Sequence, residues 1–167
     1  SIRDVVEKYD PEVIRFFLIS SHYRSPINYS EDALKEAVSK LDRFYMAMRD
    51  ADINVEAPLG TDYAKRFEAA MDDDFNTPEA IAVLFDLARD LNKAKGEEKN
   101  QLAALLKKLG AVLGCLQSDP EAFLKQGVEV DAAYVEDMIA KRAQAKKDRD
   151  FNLADQIRAD LDAQGIE

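Results

Sequence analysis

Between Glu31 and Asp50 the apolar positions Leu34, Val38, Leu41, Tyr45 and Met48 recur at steps of three and four residues, with Ala37 and Phe44 widening the stripe. That spacing puts one continuous apolar face on a long α-helix. The same periodicity returns along the chain. Ile81, Leu84, Phe85, Ala88 and Leu91 mark one face of a helix opened by Thr77-Pro78. Leu102, Leu105, Leu106, Leu109, Val112, Leu113 and Leu116 mark another, beginning near Gln101 after the charged turn KAKGEEKN. A shorter helix is predicted from about Asp62 to Asp72, after the break INVEAPLG.

Helix punctuation supports these boundaries. Ser1 and Asp4 suit a capping box before IRDVVEKY. Asp10-Pro11 pairs an N-cap with a proline whose φ is preset for the first turn of PEVIRFFLIS. Ser30 caps the long helix, and Thr77 is expected to accept an amide of its own. Asp119-Pro120 predicts a short helix ending near Gly127. From Asp131 two charged helices, AAYVEDMIAKRAQAKKDRD and FNLADQIRADLDAQG, read as a hairpin joined by DRDFN, with Gly165 at the terminating position. Strand signal is confined to a short stretch around Ser25–Tyr29. The expected fold is all-α.

Composition narrows the function. Of 167 residues 47% are hydrophobic, enough for a packed core and unlike a disordered chain. A net charge of −10 argues against indiscriminate nucleic-acid binding but leaves room for a local basic face. One cysteine, Cys115, and one histidine, His22, rule out an internal disulfide and a Cys/His zinc site. No run is apolar enough to cross a bilayer and no secretory signal opens the chain, so a cytoplasmic protein is expected, without membrane contact. A start at Ser1 suggests a piece of something longer.

Three strings carry candidate chemistry. MDDDFNTPEA sets Asp72, Asp73 and Asp74 before a helix start, where the dipole favours negative charge. It also has the look of a Mg²⁺ site, but no Gly-rich loop or P-loop lysine accompanies it, so capping is the favoured reading. Lys141, Arg142, Lys146, Lys147 and Arg149 form the densest positive run. It is either a solvated helix face or a phosphate-contacting stripe. HYRSPINYS brings His22, Tyr23 and Arg24 together as a possible base, stacking ring and phosphate clamp. No nucleophile with a partnered base is visible, which favours structure or RNA contact over catalysis.

SIRDVVEKYDPEVIRFFLISSHYRSPINYSEDAL, AMDDDFNTPEAIAVLFDLARDLN and KRAQAKKDRDFNLADQIRADLDAQGI, in that order, resemble the C-terminal half of bacterial cysteinyl-tRNA synthetases. The resemblance covers essentially the whole chain. It implies a stem-contact-like region over residues 1–50 with at most a short strand, and a class I synthetase helical bundle of the anticodon-binding type over 51–130. Over 131–167 it implies a basic hairpin cut off before a further C-terminal segment. It implies tRNA(Cys) and an N-terminal catalytic domain of the same polypeptide as partners, and a monomer. Zinc, ATP and Mg²⁺ would belong to that catalytic domain, because HIGH- and KMSKS-type signatures are absent here. No catalytic, cofactor or metal residue is therefore expected within the chain, and alone it should be catalytically silent. The tRNA-contact candidates are Lys141, Arg142, Lys146, Lys147, Arg149, Tyr23 and Arg24. Two other readings stand beside this one: a related cysteine ligase acting on an amino sugar, and a helical protein-interaction module.

Overall fold

The structure, a computed structural model, describes the backbone of residues 7–22, 24–26 and 29–163, with side chains in all of these except 127–135 and 161–163. The helices are α1 (Pro11–Ile19), α2 (Glu31–Met48), α3 (Asp62–Asp72), α4 (Thr77–Lys93), α5 (Gly96–Val112), α6 (Pro120–Lys147) and α7 (Phe151–Ala163). Among the described residues there is no strand, in keeping with an all-α fold. Around the expected strand, Ser25 N donates to His22 O at 2.8 Å and makes a turn. The Ser1 cap and Gly165 lie outside the described residues. The chain divides into two compact units, Ser1–Glu121 and Ala122–Glu167.

The first unit is a bundle of α1 to α5. Helix α2 packs on α1 and α4, while α3 and α5 pack on α4. The apolar stripe of α2 turns inward: Leu34, Leu41, Phe44, Tyr45 and Met48 are fully buried. Phe44 links three helices, meeting Phe16 of α1 edge-on at 6.2 Å and stacking on Phe85 of α4 at 4.4 Å. Leu84, Leu87 and Leu91 of α4 and Leu105 and Leu106 of α5 complete the core. Each such side chain contributes roughly 1.5–3 kcal/mol by leaving water, so the bundle rests on its core.

Local chemistry sets the helix starts. Asp10 accepts from Glu12 N at 2.8 Å and Ser30 from Ala33 N at 3.0 Å, as their positions predict. At α4 the cap moves back one residue: Asn76 accepts from Glu79 N at 3.3 Å, and Thr77 already lies in the first turn beside Pro78. Helix α5 begins at Gly96 rather than near Gln101. Gly96, at φ 63°, reverses the chain in one residue, and Glu97 and Glu98 sit favourably in the first turn. Val112, expected in the buried face, is 61% exposed, because the chain turns back at Gly114 just after it. The short helix expected to end near Gly127 instead continues through 131 as α6. One interior glycine costs only about 1 kcal/mol, and no proline follows to stop the helix.

The end of α5 shows why two glycines are needed. Cys115 N donates to Gly110 O at 2.9 Å and Gly114 N to Ala111 O at 3.0 Å, with Gly114 left-handed at φ 70°. This folds Leu116 back onto Gly110, where a Cβ would meet the Leu116 Cβ at 2.8 Å. Glu12 of α1 then accepts from Leu116 N at 2.7 Å and from the buried Tyr45 hydroxyl at 2.9 Å, while Arg15 Nη1 donates to Gly114 O at 2.9 Å. Helix α1 is thereby fastened by polar bonds to the turn at the far end of α5.

Candidate nucleic-acid interface

The second unit is built from α6 and α7. Its described interior is small: Ala145, Ala154, Ile157 and, near the start of α6, Phe123 are buried. The turn between the helices carries much of the order. Asp150 N donates to Ala145 O at 2.8 Å and Arg149 N to Lys146 O at 3.2 Å, with Arg149 left-handed at φ 58°. This is the six-residue closure that usually employs glycine. The Asp150 side chain then accepts from Leu153 N at 3.1 Å and starts α7.

The five basic candidates do not share one environment. Lys141 pairs with Asp137 at 2.9 Å, one helical turn away. It also lines a cleft of about 470 Å³ with Gln144, Asp148, Asp150 and Asp160. Arg142 is half-buried, and its Nε is enclosed without a hydrogen-bond partner. Its replacement would therefore disturb packing as well as charge. Lys146 and Lys147 are exposed in the last turn of α6, where the helix dipole favours cations. Arg149 is exposed in the turn itself. Lys146, Lys147 and Arg149 thus form the outward cationic group.

Phe151, the first residue of α7, is not marked by periodicity, yet it is 61% exposed directly after this group in sequence. The available signal was an apolar residue in an otherwise polar turn, DRDFN.

The remaining candidates belong to the first unit. Arg24 pairs with Asp74 at 3.1 Å, and both are exposed. The His22 ring accepts from Arg24 N through Nδ1 at 3.2 Å. Tyr23 lies outside the described residues. Among the described residues no three His, Cys, Asp or Glu side chains are grouped to hold a metal ion, and Asp74 serves Arg24 instead. Cys115 is buried, and burial pushes its thiol up to about 11. Among the described residues no helix is long and apolar enough to cross a membrane.

A family of tRNA synthetases class I (C) catalytic domains matches residues 1–39, and the DALR domain family matches residues 66–117, from within α3 to just past Leu116. A helical DALR bundle following a catalytic-domain segment defines the class: the helical part of a class I aminoacyl-tRNA synthetase. The chain is 49% identical to a cysteine–tRNA ligase of Pectobacterium carotovorum, 50% to one of Klebsiella pneumoniae and 52% to one of Azotobacter vinelandii, over 99% of its own length in each case. It is a cysteine–tRNA ligase homologue, corresponding to the C-terminal part. The chain spans about 37% of the length of these relatives.

Proposed function

We propose that this chain is the tRNA-holding helical part of a cysteine–tRNA ligase, whose whole polypeptide attaches cysteine to tRNA(Cys) at the expense of ATP. The observation that carries the proposal is the near-50% identity to cysteine–tRNA ligases along 99% of the chain. The bundle and the hairpin supply binding and positioning. ATP, Mg²⁺ and zinc belong to the catalytic portion of that polypeptide, and the 167 residues alone are catalytically silent. The protein works in the cytoplasm as a monomer.

Within this reading, Lys146, Lys147 and Arg149 contact tRNA phosphates, with Lys141 and Arg142 in support. Exposed Phe151 offers a ring on which a base can stack. Arg24, with Tyr23 beside it in sequence, forms a second contact near the connector. Phosphate contacts position the RNA and leave base preference nearly untouched.

The test is a salt titration of tRNA(Cys) binding on the parent and on the double variant Lys146→Glu/Lys147→Glu. These two are preferable to Arg142, whose guanidinium is partly enclosed. The slope of log affinity against log salt should flatten by about 2, one for each phosphate that is no longer neutralised. Hairpin stability should fall by about 1–2 kcal/mol, because two anions replace cations at a helix C-terminus, so binding is compared below the hairpin's melting range. An unchanged affinity and slope removes the hairpin from the interface. Cysteine-dependent ATP–pyrophosphate exchange by the chain alone would overturn its assignment as a non-catalytic part.

A further inference from the structure

The loop between α3 and α4 has a feature that tRNA holding leaves unused. Asp74 and Phe75 are consecutive left-handed residues, at φ 53° and 51°. Each costs roughly 1–2 kcal/mol for a residue with a Cβ. The outcome of that strain is an aromatic ring turned outward, 66% exposed. Strain of this kind persists where surrounding structure enforces it, and it gathers at ligand clamps.

Phe75 does not stand alone. With Leu18, Ile19, Ser21 and Thr77 it lines an open, mainly apolar cleft of about 490 Å³. Leu18 is 47% exposed there. One wall comes from the segment that matches the synthetase catalytic-domain family, the other from the segment that matches the DALR family.

The loop beside the cleft is acidic. Asp72 and Asp73 are exposed, and among the described residues neither is held in a salt bridge, while Asp74 engages Arg24. An acidic loop next to the cleft repels a phosphate backbone. It attracts a segment carrying Lys or Arg, and the apolar lining requires hydrophobic side chains beside those charges.

We propose that this cleft is the docking surface for an apolar, lysine- or arginine-bearing segment of the catalytic portion of the ligase polypeptide. The proposal rests on the functional reading above. Its location at the seam between the two matched families, together with relatives that extend far beyond the length matched here, favours that occupant over RNA or a second copy.

Hydroxyl-radical footprinting, read by mass spectrometry on the Phe75 peptide, tests it without altering the site. Phe75 should oxidise readily in the 167-residue chain. In the same polypeptide extended by its catalytic portion it should oxidise at least five-fold more slowly. Asp72→Lys/Asp73→Lys in the extended polypeptide should restore most of the reactivity. Equal oxidation in both polypeptides overturns the proposal. So does protection that appears only with added tRNA, or only as the concentration of the 167-residue chain rises, since these identify RNA or a second copy as the occupant. Protection untouched by the charge reversal overturns the basic character of the segment. Cysteine attachment to tRNA is measured on the same extended sample. Activity with an exposed Phe75 sinks the docking alone, whereas inactivity sinks the functional reading.

Discussion

The bundle of α1 to α5 and the hairpin of α6 and α7 are both helical, yet they are held by different means. The bundle buries Phe16, Phe44, Tyr45 and a series of leucines. The hairpin's described interior is thinner: Phe123 near the start of α6, two alanines and an isoleucine. Its order depends on the turn: a left-handed Arg149, the closure onto Ala145 O and the Asp150 cap. A unit with a deep core tolerates changes at its surface. A unit with a thin core leaves its long surface for charge, and the cationic group of this acidic chain is found there.

The sharpest way to break this contrast is to charge each interior. Leu41→Asp should cost about 4 kcal/mol or more, because an unpaired carboxylate would enter an apolar core. The bundle should then fail to melt cooperatively. Ile157→Asp should reduce helicity in the hairpin and leave the bundle's near-ultraviolet aromatic signal intact. A Leu41→Asp variant that melts like the parent would remove α2 from the core.

Next in size is the polar fastening of α1. Glu12→Ala deprives the buried Tyr45 hydroxyl and Leu116 N of their acceptor. The expected loss is about 2–3 kcal/mol, read from urea midpoints. Adding Tyr45→Phe should recover part of it, since the two changes act on one network.

Alkali should separate the two units by about 1 kcal/mol. Burial raises the pKa of the Cys115 thiol from 9.0 to about 11 and raises that of the Tyr45 hydroxyl above its usual 10.0. Both groups are neutral when protonated, and the unfolded chain releases those protons first. Their contribution is therefore complete below about pH 9 and declines as pH climbs through the folded values. By about pH 10 the thiol alone should cost the bundle on the order of 1 kcal/mol. Hairpin helicity should be insensitive over the same range.

The smallest effect is a gain. Arg149→Gly relieves a side chain from a left-handed position and should stabilise the hairpin by about 0.5–1 kcal/mol, net of glycine's greater freedom when unfolded. It should also weaken tRNA binding by one phosphate contact. A hairpin made less stable by this change would show that the Arg149 side chain, rather than the backbone turn, holds it.

Periodicity determined the helical class and the inward face of α2, and cap and break residues determined the span of α3 and the starts at Asp10 and Ser30. These depend on interactions within a few residues, and those interactions are written in the order of the side chains. The three ordered strings likewise carried the family resemblance. Tertiary structure decided the rest. Val112 fits the α5 stripe but is exposed, because the reversal at Gly114 takes the chain away. Thr77 is as good a cap in sequence as Asn76, and the left-handed pair Asp74–Phe75 settles which of them meets the helix amides. Nothing near Glu12 in sequence announces Leu116 or Tyr45, since those bonds span 104 and 33 residues. Helical spacing puts Arg142, Lys146 and Arg149 on one face along the chain. Only the folded structure separates the half-buried Arg142 from the open Lys146 and Lys147, because which side of a weakly amphipathic helix meets a neighbour depends on that neighbour.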